Sequence, residues 1–258
     1  MNEQFVPRIG GVLSADIAVP EHEREVRFYR QVLGTGEHPL WREDLMNNLG
    51  LPIIGLGQRT PQYESLPLQW MPHIQVADVA ASVRRAAALG GKVLMHHQDA
   101  RGQSLWAVLL DPNGAAFGLV PVVPQEAMPP EAGDVEGPAG RIAWLDLTVP
   151  DAASTCDFYR EVVGWTVKQI PMEDGGERYF DYGMAGGDGQ AAAGICHARG
   201  ANADLPPVWL LYLPVGDFAE SLRRVEAEGG RVVKAARGEF TYAIVQDPVG
   251  VYFGLTPG

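Results

Sequence analysis

The amino-terminal part of the chain changes from an alternating pattern to a helical one. Residues 12–19 read VLSADIAV, an alternation of apolar and polar side chains that predicts a half-buried strand. In the following segment, 21–33, the apolar side chains of Val26 and Tyr29 stand three residues apart, which indicates an amphipathic helix. Gly34 is placed to end that helix in the left-handed conformation.

The same sequence of patterns follows once more before residue 121. PHIQV at 72–76 predicts a strand, and Asp78 is placed to cap a helix whose apolar stripe includes Val79 and Val83. Short apolar runs after each helix predict further strands at 51–57, 92–95 and 105–110. The order of elements is therefore strand, helix, then two or three strands, which predicts an α+β fold with helices covering curved sheets.

Three blocks of the sequence occur twice, in the same order. Residues 16–34 match 146–164 at an offset of 130, with 8 of 19 identical. Residues 70–94 match 209–233 at an offset of 139, with 11 of 25 identical. Residues 111–121 match 247–257 at an offset of 136, with 7 of 11 identical. Such a repeat indicates duplication of one module. We therefore predict that the two copies adopt the same fold.

The repeats divide the chain into module one at 9–121, a linker at 122–140 and module two at 141–258. The linker is rich in Pro, Gly and acidic residues and has no basic residue. The offsets place a nine-residue insertion in module two after Gly164, and we interpret the Gly-rich segment 173–190 around it as a lid or rim.

Composition narrows the classes of partner. The 258 residues include 20 Lys and Arg against 32 Asp and Glu, a formal net charge of −12, which argues against nucleic acid and anionic membranes. No run approaches the roughly 20 apolar residues of a membrane span, and the amino terminus lacks a signal peptide's apolar core. With only Cys156 and Cys196, we expect a reduced, cytoplasmic protein whose partner is a small molecule.

The repeated motifs resemble those of the vicinal oxygen chelate superfamily, which includes glyoxalase I, bleomycin-resistance proteins and extradiol dioxygenases. Both copies contain V-P-[DE], then F-Y-R-x-V-x-G, and finally D-P-x-G-x-x-F-G-L. The resemblance implies tandem modules of two βαβββ units each, four units in total, that form two curved-sheet cups. A chain with both modules already supplies the pairing that one-module relatives obtain by dimerising, so we expect a monomer.

The resemblance also implies where a metal would be bound, and this chain lacks the ligands there. The family places a His, a second His or similar ligand, and a Glu on three strands of the cup. The matching positions hold Ser14 and Trp144, Met71 and Leu210, and Gly118 and Gly254. None is a strong metal ligand, so we expect no cofactor, and a divalent metal only through ligands the family does not use.

Polar residues two positions from these sites are candidates for acid–base chemistry. Side chains two apart on a strand share a face, so module one would hold an Asp16–His73 pair and module two an Asp146–Tyr212 pair. The alternative is that both aspartates lie at the floor of the cup and are satisfied by neighbouring groups.

Module two is the predicted site of ligand binding. Trp144 and Tyr252 would face into its cup as walls for a flat organic ligand, whereas module one has Ser14 and Ala116 there. In this reading Asp146 is the central polar group and Tyr212 its hydrogen-bonding partner.

The segment GICHARG adds further candidates. Cys196 and His197 are adjacent on a strand and so face opposite sides, which prevents direct cooperation, although either alone could face the cup. Arg199 could clamp an anionic ligand. His96 and His97 lie in HHQDARGQ, which we interpret as a turn.

Two functions are consistent with these residues. One is a metal-independent protein that binds a small, partly aromatic molecule, as bleomycin-resistance proteins do. The other is a lyase, isomerase or oxygenase that uses the Asp–His or Asp–Tyr pair, or a metal held by other ligands.

Overall fold

The computed structural model describes residues 8–34, 54–124, 142–236, 238 and 241–258. Within them lie four helices, α1 His22–Leu33, α2 Val79–Ala88, α3 Ala152–Val163 and α4 Phe218–Ala227. The strands of module one are β1 Val12–Val19, β2 Ile54–Gln58, β3 Met71–Val76, β4 Lys92–Gln98, β5 Ser104–Leu110 and β6 Ala116–Pro121. Those of module two are β7 Trp144–Val149, β8 Thr166–Asp174, β9 Glu177–Ala185, β10 Ala191–His197, β11 Trp209–Val215, β12 Arg231–Ala236, β13 Tyr242–Gln246 and β14 Tyr252–Pro257. None of the described helices is long and apolar enough to cross a membrane.

The predicted duplication is confirmed by the element boundaries. Helices α1 and α3 begin and end at the same 130-residue offset, and α2 and α4 do so at 139. Strands β6 and β14 are related by 136 residues. The structure is therefore α+β, with two tandem modules whose strands form two mixed sheets, β1–β6 in one and β7–β14 in the other.

Local chemistry explains the helix ends. The side chains of Asp78, Asp151 and Asp217 accept hydrogen bonds from backbone N–H groups three residues later, which satisfies donors that the first helical turn leaves free. Helices α1 and α3 end at Gly34 and Gly164, both in the left-handed region with φ of 66° and 88°. This conformation favours glycine because glycine has no Cβ.

The described residues fall into two compact units that do not coincide with the modules. The first unit comprises 8–13, 71–124 and 145–209, and the second comprises the remaining described residues. Each unit thus contains half of each module.

In the first unit, strands are ordered β3-β6-β5-β4 and β7-β10-β9-β8, and α2 packs against α3. The core is aromatic: the indole of Trp209 donates a 3.0 Å hydrogen bond to the phenol oxygen of Tyr159, which donates to Asp111 at 3.4 Å. Phe117 and Phe158 pack edge to face beside them.

In the second unit, β1 pairs with β2, the other strands are ordered β11-β14-β13-β12, and α1 packs against α4. The aromatic network recurs at equivalent positions. Trp70 donates to Tyr29 at 3.2 Å, and Tyr29 donates to Asp247 at 3.0 Å.

Two interpretations of loops were wrong. Residues 173–190, interpreted as a Gly-rich lid or rim, are not an irregular segment, because most of them belong to a long antiparallel ribbon of β8 and β9 that turns at Gly175 and Gly176. His96 and His97 lie within β4 rather than in a turn, which follows at Asp99. The predicted linker lies outside the described residues from position 125 onward.

Candidate functional site

Aromatic rings cover the two glycines at the family's third metal-ligand position. On β3, His73 lies opposite Gly118 of β6, and a Cβ built on Gly118 would lie under 3.0 Å from the imidazole. On β11, Tyr212 lies opposite Gly254 of β14, where a built Cβ would lie 2.7 Å from Cε1 and 2.8 Å from Cγ of the phenol ring. Neither glycine can be replaced by a larger residue unless the ring moves.

This geometry does not fit the metal centre that the fold family implies. A glutamate at Gly118 or Gly254 would need the volume that His73 or Tyr212 occupies. Met71 and Leu210, at the second ligand position, are buried apolar side chains, and Ser14 is a buried hydroxyl. In the part of the chain that the structure describes, no three His, Cys, Asp or Glu side chains are grouped to hold a metal ion.

The predicted Asp16–His73 pair joins residues of different compact units. Asp16 lies on β1 opposite Gly55 and is exposed, while His73 is half-buried on β3. Asp146 and Tyr212 are also divided between the two units. Both pairs therefore stay predictions.

The other members of the predicted module-two cup are placed by their strands. Trp144 precedes Asp146 by two residues on β7, so the two side chains share a face of that strand. In the second unit, Tyr252 and Gly254 share a face of β14. Tyr212, paired with Gly254, therefore lies on the same side as Tyr252, and it packs edge-on against Tyr242 at 5.9 Å.

The sheet β7-β10-β9-β8 presents a mixed polar and apolar surface on its face away from α3. Strand pairing places Asp146 opposite Gly194, Ile170 opposite Asp181, and Met172 opposite Tyr179. Paired residues share a face, and Cys196 shares that of Gly194. We call this surface the module-two panel and define it by Asp146, Ile170, Met172, Tyr179, Asp181 and Cys196.

One end of the module-two panel is apolar and exposed. Ile170 and Met172 are 37% and 38% exposed, which is high for large apolar side chains within a strand. Over β7 and β10 the opposite face of the sheet is covered, and Leu147, Val149 and Ile195 are fully buried there, whereas β8 is exposed on both faces. Exposed apolar groups beside buried polar ones are typical of a surface that binds an organic ligand.

The other end is polar and centred on Asp181, which the sequence analysis missed. Its carboxylate is buried and accepts hydrogen bonds from the His197 backbone N–H at 2.8 Å and from Nδ1 of the same residue at 3.2 Å. It was missed because 173–190 was interpreted as a Gly-rich lid or rim and not as paired strands. The alternation in RYFDY, which places Tyr179 and Asp181 on one strand face, was the available signal.

The Cys196 thiol is held in its protonated form. Burial raises the pKa of Cys196, and the carboxylates of Asp146 and Asp181 raise it further. A thiol in this state is a poor nucleophile, since the thiolate is the reactive species.

Arg199 borders the same end of the panel. Its guanidinium lies 4.6 Å from the centre of the Tyr179 ring and forms an ion pair with Glu177. The pairing leaves Arg199 less available as a clamp for an anionic ligand than the sequence implied.

Both modules match known families. Residues 14–120 match the family described as "Glyoxalase-like domain", and residues 141–255 match the "Glyoxalase/Bleomycin resistance protein/Dioxygenase superfamily".

A curated relative and two solved structures are also similar. The chain is 28% identical over 194 residues to the "Anthracycline biosynthesis protein DauV" of Streptomyces sp. (strain C5), a match covering 74% of this chain but only 66% of that relative's length. A variant of homoprotocatechuate 2,3-dioxygenase from B. fuscum has a TM-score of 0.61 at 14% identity, covering 98% of this chain and 72% of that one. For a mutant of 4-hydroxymandelate synthase from Streptomyces coelicolor the TM-score is 0.56 at 15% identity, with coverage of 97% and 92%. At these identities the structures show a shared fold.

Proposed function

This chain belongs to the vicinal oxygen chelate superfamily, and we propose that it binds a small, flat organic molecule on the module-two panel without the metal ligands of that superfamily. The panel itself carries the proposal. Its apolar end offers Ile170, Met172 and the ring of Tyr179 to a planar ligand, and its polar end offers the carboxylates of Asp146 and Asp181 as acceptors.

The class of ligand is an aromatic polyketide or a compound of similar shape. A relative that matches most of this chain is named for anthracycline biosynthesis, and anthracyclines are flat, mostly apolar and edged with hydroxyl and carbonyl groups. Such a molecule matches both ends of the panel. Rings would cover the apolar side chains, and polar edges would reach Asp146 and Asp181.

Binding is tested by titrating the purified chain with doxorubicin, an anthracycline whose ring fluorescence changes on burial. We expect saturable binding of one molecule per chain. Ile170→Glu should weaken it about tenfold or more, because a charge would lie under the rings, and tenfold corresponds to about 1.4 kcal/mol.

Val167→Glu is the matched control. Val167 is also on β8 and is 36% exposed, but it points to the opposite face. Affinity for doxorubicin should be unchanged in this variant. Absence of saturable binding, or equal losses in the two variants, would overturn the proposal.

A further inference from the structure

The four strands of module two in the second compact unit, ordered β11-β14-β13-β12, have two different faces. Helix α4 packs against β12 and β14, and one face of the strands is fully buried through the side chains of Ala243, Val245, Phe253 and Leu255. Tyr212 lies opposite Gly254, and Lys234 lies opposite Ile244. Because Gly254 and Ile244 are themselves paired, Tyr212 and Lys234 share the other face.

Two more tyrosines and an arginine belong to that other face. Tyr242 lies two residues before Ile244 on β13, and Tyr252 lies two residues before Gly254 on β14. Arg231 of β12 is placed there by the same strand register. We call this surface the tyrosine face and define it by Tyr212, Tyr242, Tyr252, Lys234 and Arg231.

The rings and the ammonium group of the tyrosine face are packed together. Tyr212 and Tyr242 meet edge to face with ring centres 5.9 Å apart. Nζ of Lys234 lies 5.4 Å from the centre of the Tyr242 ring, a distance at which the ring attracts a cation. Tyr242, Tyr252 and Lys234 are half-buried. The ammonium group is therefore held beside aromatic rings whose surfaces are partly open.

The tyrosine face has a charge opposite to that of the protein as a whole. The chain carries a formal net charge of −12, yet strands β11 to β14 contain two basic residues, Lys234 and Arg231, and no Asp or Glu. The module-two panel, in contrast, carries the carboxylates of Asp146 and Asp181. An ammonium group beside phenol O–H groups favours an anion, because all of these groups donate hydrogen bonds.

The chemistry of the tyrosine face selects one class of ligand. Its phenol rings favour a flat aromatic body, because aromatic rings pack against one another edge to face or offset. One ammonium group matches one negative charge, such as that of a carboxylate. Arg231 is exposed and donates a 2.8 Å hydrogen bond to the side chain of Gln246, so Lys234 is the cation that the rings surround.

We propose that the tyrosine face is a second binding site, which takes a flat aromatic carboxylate with its charge on Lys234 and its rings against Tyr242 and Tyr252. This inference goes beyond the proposed function and does not rest on it, because it assigns a different ligand to residues outside the module-two panel.

The test titrates the purified chain with 2-naphthoate, a bicyclic aromatic carboxylate, by isothermal titration calorimetry. We expect saturable binding, and Lys234→Gln should weaken it about tenfold or more, because a charge-assisted hydrogen bond is lost. Lys234→Arg keeps the charge and should retain most of the affinity. Lys92→Gln is the matched control, since it removes the same charge from an exposed position on β4 and should bind 2-naphthoate like the native chain.

A neutral analogue separates the charge of Lys234 from its shape. 2-Naphthamide keeps the rings of 2-naphthoate and has no charge, so the native chain should bind it about tenfold more weakly than 2-naphthoate. Lys234→Gln should not weaken binding of 2-naphthamide further. If Lys234→Gln lowers the affinity for both compounds equally, the lysine has only a structural part and its assignment to the carboxylate is overturned.

The outcomes are separate from those for the module-two panel. Ile170→Glu, which should weaken doxorubicin binding, should leave the affinity for 2-naphthoate unchanged, and Lys234→Gln should leave the affinity for doxorubicin unchanged. Loss of both ligands in Ile170→Glu would place 2-naphthoate on the panel and overturn this inference, as would the absence of saturable 2-naphthoate binding. Neither result affects the proposed function. Absence of doxorubicin binding overturns the proposed function and leaves the assignment of the tyrosine face in place.

Discussion

The phenol of Tyr29 donates a 3.0 Å hydrogen bond to the carboxylate of Asp247, 218 residues later in the chain. Tyr159 and Asp111 repeat the arrangement in the other compact unit, at 3.4 Å. Each interaction joins the first helix of one module to the Asp-Pro turn of the other. The duplicated D-P-x-G motif therefore contributes one aspartate to each aromatic core.

A buried carboxyl group in the second unit predicts a pH dependence of stability. Glu25 in the second unit corresponds to Thr155 in the first, and its carboxyl group is fully buried with no hydrogen-bond partner among the described residues. Burial, and then the charge of Asp247, raise the pKa of Glu25 from 4.5 to about 8. The native state thus holds a proton that the unfolded chain releases above its own pKa. The contribution of Glu25 to stability is complete below pH 4.5 and is lost as pH rises through about 8.

Glu25→Gln should remove the loss of stability that occurs as pH rises. The free energy of unfolding at pH 9, measured with urea, should exceed that of the native chain by about 1–3 kcal/mol, because no buried charge forms. At pH 4.5 the free energies of unfolding of the variant and the native chain should be similar. Glu23→Gln, at an exposed position of α1, is the control and should change neither value. A native chain that is equally stable at both pH values would contradict the assignment.

The contact of Tyr212 with Gly254 predicts that the smallest enlargement of this glycine is costly. Gly254→Ala would place a methyl group within 2.8 Å of the phenol ring, and overpacking of this kind costs about 1–3 kcal/mol. Gly216→Ala is the control, because Gly216 has open space around it and a φ outside the left-handed region. Its effect should stay within about 0.5 kcal/mol in urea unfolding. If Gly254→Ala and Gly216→Ala are equally stable, the Tyr212 ring moves aside without cost and the prediction is wrong.

The environment of Cys196 predicts slow alkylation. Because its pKa is raised, iodoacetamide at pH 8 should label this thiol about tenfold or more slowly in the native chain than in urea. Cys156, buried on α3 with a pKa raised to about 11, should also be slow, and mass spectrometry of the peptides separates the two. Rapid labelling of Cys196 in the native chain would contradict the raised pKa of this thiol.

The two equivalent aspartates should differ in importance for binding. Asp146→Asn keeps the shape of the module-two panel and removes a charge, so doxorubicin affinity should fall severalfold while thermal unfolding is unchanged. Asp16→Asn, at the equivalent exposed position of β1, should leave affinity unchanged. If Asp16→Asn is the more damaging, then the predicted Asp16–His73 pair of module one is the binding site.

Much of the fold could be predicted because its signals are local. The structure confirms the helix caps at Asp78 and Gly34, the duplicated blocks and the α+β order of elements. Each of these depends on residues that are close together in the chain. The candidate site was predicted less well, since the ribbon of β8 and β9 was taken for a lid. The glycine content of 173–190 suggested a lid or rim, whereas Gly175 and Gly176 form the turn between two paired strands.

The sequence by itself determined the repeat, the boundaries of the helices and the absence of ligands at the family's metal positions, because each depends on residue identity at fixed spacing. Only the tertiary structure decided that His73 lies over Gly118 and that His197 meets Asp181. It also decided that each compact unit takes half of each module. The reason is physical. Residues 45 and 16 positions apart meet only through strand register, which depends on the packing of the whole sheet rather than on any local pattern.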